Sequence, residues 1–177
     1  MAITAAFLLT ACAGHYNELE WPYFQSSLGQ NLETDFNSWA RVEAVWPDAR
    51  VTPPEHSVPP DLLRLSGKWS GWYCGGRSTD LKMVTETVTA TEATISMSFA
   101  GYVQGGVVHF SVHPIDSDQF LGEYSGPTDP RAAVLFRLRS VNGVDVLDFK
   151  RTRLESYGMY GSAGGWCSGV LKKVSAN

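Results

Sequence analysis

Basic charge, cysteine and long apolar runs are all scarce in this chain of 177 residues. No stretch approaches the eighteen or so consecutive apolar residues that a membrane-spanning helix needs, which excludes an ordinary transmembrane anchor. Lysine and arginine number 14 against 18 acids, a net charge of −4, so the basic face of a nucleic-acid-binding protein is missing. Neither occurs before Arg41. Up to Ser66 there are only Arg41, Arg50 and Arg64 against eight acids, whereas the remainder is close to balanced, with 11 basic and 10 acidic residues. The forepart either lies against a more basic body or is ordinary solvated charge. Three cysteines are too few for a disulfide framework, and the 44% hydrophobic content is that of one ordinary globular domain.

What is present begins at the N-terminus, where the apolar run Ala5-Ala6-Phe7-Leu8-Leu9 is closed by Leu9-Thr10-Ala11-Cys12. It resembles a bacterial lipoprotein signal, with a hydrophobic region, small residues before the cut, and a cysteine that becomes the new N-terminus. The resemblance implies that residues 1–11 are removed. Cys12 then carries a thioether-linked diacylglyceryl group and an amine-linked acyl chain such as palmitate. Two lipid signals give stable anchoring where one does not, at about 0.8 kcal/mol per buried CH₂. Ala13-Gly14 lacks an aspartate that would retain such a protein at an inner membrane, so the implied address is the outer membrane of the cell envelope, facing the periplasm. With Cys12 lipidated, Cys74 and Cys167 remain. An oxidising compartment would join them; the alternative is two buried free thiols.

Residues 12–46 read as an N-terminal segment rich in aromatics, including Tyr16, Trp21, Tyr23, Phe24, Phe36, Trp39 and Trp46. Leu28, Leu32, Phe36, Trp39, Val42 and Trp46 are spaced by fours and threes, which predicts an amphipathic helix from about Leu28 to Val45. Ser27 with Gln30 fits a capping box and Pro47 supplies the stop. Such a helix either folds back on the following domain or lies in the membrane interface; Glu33, Asp35 and Glu43 against Arg41 favour the first. Residues 47–65, with Pro47, Pro53-Pro54 and Pro59-Pro60, read as a stiff extended spacer.

From residue 66 the apolar period becomes two. Strands are expected at Gly67–Tyr73, Asp80–Thr89, Glu92–Phe99, Gly106–Val112, Gln119–Tyr124, Ala132–Val141, Val144–Arg153 and Gly165–Lys173. Asn142-Gly143 between two of them is a strong type I′ hairpin signal. Eight short strands with tight turns make an antiparallel meander, either a small barrel or a β-sandwich. A Cys74–Cys167 bond would need Cα atoms within about 7 Å, hence neighbouring first and last strands, which favours the barrel. Gly67-Lys68-Trp69 resembles the Gly-x-Trp that opens lipocalin-like barrels, where the tryptophan plugs one end. The lipobox with Trp72-Tyr73-Cys74 is similar to lysozyme-inhibitor lipoproteins. Gly158-Met159-Tyr160-Gly161-Ser162 differs in order from their inhibitory loop, so no functional residue carries over.

No catalytic set, metal site or cofactor site is read in the chain. His109 and His113 are four apart, but on a strand that spacing separates them by about 13 Å, too far to share one ion. Asp116-Ser117-Asp118 lacks the glycine and closing glutamate of a calcium loop. Gly161-Ser162-Ala163-Gly164-Gly165 is neither a nucleophile elbow nor a phosphate loop. Tyr157, Met159, Tyr160 and Trp166 interleave with glycine as a candidate binding loop, with Lys150, Arg151 and Arg153 leading into it. These basic residues either receive an anionic partner or form a solvated strand end.

The sequence therefore points to a lipid-anchored envelope protein whose barrel binds an envelope protein or a small ligand without catalysis. The rivals are a structural component of an envelope assembly and a hydrolase with dispersed catalytic residues. Cys12→Ala should move the protein from the detergent phase to the aqueous phase, or leave it unprocessed. A mature chain retaining Met1 and an unmodified Cys12, seen by mass spectrometry, would remove the anchor.

Overall fold

The computed structural model describes residues 40–54, 57–73, 79–125, 131–154 and 166–174, and only the backbone of Arg153, Trp166 and Cys167. The signal at 1–11, Cys12, residues 28–39 of the expected helix, Cys74, and Tyr157, Met159 and Tyr160 lie outside the described residues.

Eight strands follow one another in chain order: β1 (Gly67–Tyr73), β2 (Thr79–Val88), β3 (Ala93–Ala100), β4 (Gln104–Pro114), β5 (Gln119–Tyr124), β6 (Ala132–Val141), β7 (Val144–Arg153) and β8 (Trp166–Val174). Each pairs antiparallel with the next, and β8 returns to pair with β1, so the sheet is a closed meander barrel. The barrel, not the sandwich, is the fold. Asn142 and Gly143 take φ of 52° and 79°, the two positive values of a type I′ turn between β6 and β7.

The period-two pattern puts one set of side chains inside. Trp69, Leu81, Met83, Ile95, Met97, Phe120, Phe136, Leu147, Phe149 and Leu171 are buried there in one cluster. Phe136 and Phe149 face each other across β6 and β7, with ring centroids 5.3 Å apart. At the closing seam the two sheet edges come too close for side chains. A Cβ on Gly71 would sit 1.9 Å from the Val170 carbonyl oxygen, and one on Gly169 would sit 1.9 Å from that of Trp72. Glycine is required at both positions by this approach.

One end of the barrel is sealed. The short helix α1 (Pro60–Leu65) starts on a proline whose fixed φ suits the first turn, and it buries Leu62 and Leu65 on the core. Trp69, fully buried, donates its Nε1–H to the Leu65 carbonyl at 2.9 Å. Lys173, near the end of β8, lies 5.4 Å from the Trp69 ring centre and donates to the Arg64 carbonyl at 2.6 Å. Burial lowers the Lys173 pKa below the usual lysine value, and the Asp145 carboxylate opposes that shift. Arg64 in turn reaches Asp145 on β7 at 2.7 Å. Removing a buried tryptophan of this kind costs about 3–5 kcal/mol against a whole-domain stability of about 5–15 kcal/mol.

Two expectations for the chain before β1 are corrected. Residues 40–45, the end of the expected helix, are not helical. Their backbone groups are taken by side chains of the barrel: Asp80 accepts from the Ala44 N–H at 2.8 Å, and Ser98 donates to the Val45 carbonyl. Trp46 is fixed beneath two ammonium groups, Lys68 at 5.4 Å and Lys82 at 5.6 Å from its ring centre. Nor is the proline-rich stretch a spacer. Thr52 N–H donates to the Glu86 carbonyl at 2.6 Å, and Val58, Leu62 and Leu65 belong to the core, so the barrel unit starts well before residue 66. Residues 40–54 form a strap across the outside of β1–β3, and residues 57–65 form the seal.

The seam makes a sharp stability prediction. Gly71→Ala must push β1 off β8, and its cost should exceed about 4 kcal/mol, the range reserved for changes with a specific steric cause. Gly143→Ala, at a positive φ with open space around it, should cost about 1–2 kcal/mol. Urea denaturation of the two variants measures the contrast.

Candidate functional site

The end opposite the seal, the mouth, is bounded by the β1–β2, β3–β4, β5–β6 and β7–β8 connections. Aromatic rings line the inside of the wall below it. Tyr73 meets Phe149 edge-on at 5.6 Å and Phe99 at 6.1 Å, and Phe110 meets Tyr124 at 5.3 Å. Edge-to-face packing, as in the two Tyr73 pairs, contributes about 0.5–1.5 kcal/mol per pair beyond area burial, and Phe110 and Tyr124 pack tilted at 33°.

Into this aromatic wall β7 projects a cation. Arg151 pairs in register with Val134 of β6, a core residue, and is 5% exposed. Its Nε–H donates to the Tyr124 hydroxyl at 2.6 Å, and its guanidinium carbon lies 5.9 Å from the Tyr124 ring centre. A guanidinium stays charged in proteins, so burying it next to rings makes a site that favours negative charge. Strand alternation separates it from its neighbour. Lys150 pairs with Leu135 on the outside of the barrel, where it is 3% exposed. The basic run read from sequence as one patch is therefore split between two faces, and neither residue described by its side chain is a solvated strand end. Arg153 pairs with Ala132, and Trp166 and Cys167 open β8 opposite Thr152 and Arg151, by backbone register.

The other candidates are distributed over the outer surface. His109 and His113 both lie on β4 and have separate partners: His109 Nδ1 is 2.5 Å from Ser96 Oγ, and His113 Nδ1 is 3.3 Å from the Thr91 carbonyl. Ser96 also donates to Glu86, so β2, β3 and β4 bring together an acid, a serine and a histidine that sequence spacing did not reveal. Ser96 is fully buried and sits between the other two, which leaves it no access as a nucleophile. Asp116-Ser117-Asp118 forms the β4–β5 turn, where the Asp118 carbonyl accepts from Leu138 N–H at 2.7 Å and its carboxylate meets Arg137 at 3.2 Å. On β7, Asp148 is held by Arg139 through two hydrogen bonds at 2.7 and 2.8 Å. Burial nevertheless raises the Asp148 pKa, against the lowering effect of that arginine. Among the described residues no cluster of three or more His, Cys, Asp or Glu side chains is arranged to hold a metal ion, and no helix is long and apolar enough to cross a membrane.

Comparison of the chain with protein-family models, with curated proteins and with solved structures finds no match.

Tyr124→Phe removes the acceptor from a buried cation while keeping the ring. It should cost about 1.5–3 kcal/mol, the range for hydrogen bonds to charged groups. A loss below about 0.5 kcal/mol, the usual effect of a surface change, would place Arg151 in water instead.

Proposed function

We propose that this chain is a lipid-anchored protein of the bacterial cell envelope, held through Cys12 at the outer membrane on its periplasmic side, with a non-catalytic binding barrel. The observation that carries the reading is the difference between the barrel's two ends. One is sealed by α1, Trp69 and Lys173, whereas the other holds Arg151 beneath Tyr124 in a wall of aromatic rings. The sealing role of Trp69 also supports the lipocalin-like reading of Gly67-Lys68-Trp69. Binding at the mouth suits a ligand or side chain that brings a carboxylate or phosphate to the guanidinium and apolar surface to the rings. Tyr157, Met159 and Tyr160 follow β7 in sequence and belong to the connection at that end.

A Cys74–Cys167 disulfide is part of the same proposal. Tyr73, one residue before Cys74 in sequence, pairs with Gly169, two residues after Cys167, and this register supports the pairing. A bond around a loop of about ninety residues restricts the unfolded chain by about 4–5 kcal/mol in the entropy model.

Native mass spectrometry of the protein released gently from membranes tests the binding reading. The wild type should carry an anionic amphiphile that Arg151→Met loses while keeping its β-sheet circular dichroism. Identical spectra for the two proteins, with the same envelope proteins captured by both, would favour the structural-component reading and overturn this one.

A further inference from the structure

The outward faces of the barrel are not alike. On β4 the outward residues are open to water, with Val107 43% exposed and both histidines exposed. On the mouth half of β6, along β7 from Val146, and at Val170 of β8 and Trp72 of β1 the outward residues are buried, whereas Arg137 and Arg139 towards the seal are half-buried and Lys172 is exposed. Val146 and Val170 are fully covered, and with Trp72, at 5% exposure, they form an apolar cluster of their own. Leu135 and Ala133 form another beside Leu121 and Leu154, and Lys150 lies between the two clusters. An open sheet face does not reach these values, as β4 shows within the same molecule. The strap is fixed elsewhere, on β1, β2, β3 and the β3–β4 turn, through its bonds to Asp80, Ser98, Glu86 and Gly101 and the ring contacts of Trp46 and Arg41.

We propose that this face is the docking site of the chain's own N-terminal segment, Ala13–Trp39, laid across β6–β8 and the Trp72 end of β1. Charge supports the assignment. On this face Arg137 is paired with Asp118 and Arg139 with Asp148, which leaves the charges of Lys150 and Lys172 in excess, whereas the segment carries Glu18, Glu20, Glu33 and Asp35 with neither lysine nor arginine. Acids suit the surroundings of a buried ammonium such as Lys150, whose charge a neighbouring carboxylate stabilises. Apolar pattern supports it as well, because Leu28, Leu32, Phe36 and Trp39 recur at threes and fours and match a face built from Trp72, Val146, Val170 and Leu135. Reach is not limiting. The described chain starts at Ala40, and Arg41 N–H is fixed to the Gly101 carbonyl of the β3–β4 turn at 3.0 Å. From β3 to β7 there are four strand spacings of about 4.8 Å, roughly 19 Å, which about six extended residues cover. The segment has several times that length.

If Cys12 carries lipid, as proposed above, the same segment joins the membrane to the barrel, and docking draws the barrel in towards the bilayer. That consequence rests on the anchor; the docking does not. Cys12→Ala protein should therefore dock as the wild type does.

Zero-length carbodiimide coupling of the full chain, as wild type and as Cys12→Ala, tests the proposal in a dilute mixture of ¹⁴N- and ¹⁵N-labelled copies. The expected products join Lys150 or Lys172 to Glu18, Glu20, Glu33 or Asp35 within one chain, in both proteins. Lys150 should also acetylate at least about tenfold more slowly than exposed Lys68, and the Glu18→Gln, Glu20→Gln, Glu33→Gln, Asp35→Asn variant should lose about that factor, equivalent to ~1.4 kcal/mol of docking. Coupling only between differently labelled copies would make a second copy the occupant. Coupling only to Glu155, or acetylation of Lys150 as fast as Lys68, would likewise overturn the proposal.

Discussion

Closure of β8 on β1 is the constraint on which the rest of this structure depends. An antiparallel sheet left open presents a row of unpaired N–H and C=O groups along each edge, and joining the first and last strands removes both rows. The register here pairs Lys68–Tyr73 with Gly169–Val174 and brings the two backbones so close at Gly71 and Gly169 that no side chain fits. The space lost there is refilled from one end by Trp69. That ring is held by the Leu65 carbonyl on one side and by Lys173 of the last strand on the other, so the seam, the plug and α1 form one unit. Lys173 is under tension in this arrangement, because burial disfavours its charge while the Arg64 carbonyl and Asp145 carboxylate stabilise it.

Closure also decides which polar groups meet. Strand alternation turns Arg151 inward to Tyr124 and Lys150 outward, although they are adjacent in sequence. The outward face then needs cover wherever it is buried, and the strap supplies it over β1–β3. There Asp80 and Ser98 bond the strap's backbone, while Lys82 links Ser70, Asp80 and Glu43. Asp80, Lys82 and Ser98 are buried there, and each would be costly to bury alone. Together they explain why the chain before β1 is extended where its apolar spacing suggested a helix: the partners of its backbone are on the barrel.

The barrel was legible in the sequence because its signals are local. Alternation in Ala93–Phe99 and the Asn142-Gly143 turn place strands and a hairpin without knowledge of distant contacts, and the expected bounds agree within two residues. The strap was not legible, since residues 40–46 carry helical spacing and only Asp80, Ser98 and the lysines of β1 and β2 override it. The candidate site was half legible. Loop composition directed attention to the β7–β8 connection, but Lys150, Arg151 and Arg153 were read as a group, when the period of two already set Arg151 in line with Leu147 and Phe149. The Glu86, Ser96 and His109 cluster carries no spacing signal, because three strands contribute one residue each and only register brings them together.

The functional account needs a barrel rigid enough to hold a guanidinium among rings at one end and a segment on its outer wall, and both requirements return to the seam. Native-state hydrogen exchange on the full chain tests this most directly. Seam amides of β1 and β8, around Gly71–Tyr73 and Gly169–Leu171, should exchange only by global unfolding, with the same free energy as those of the central β6–β7 pair. Exchange of the seam amides through local opening, well ahead of β6–β7, would show a sheet that opens between its first and last strands and would contradict closure as the organising constraint.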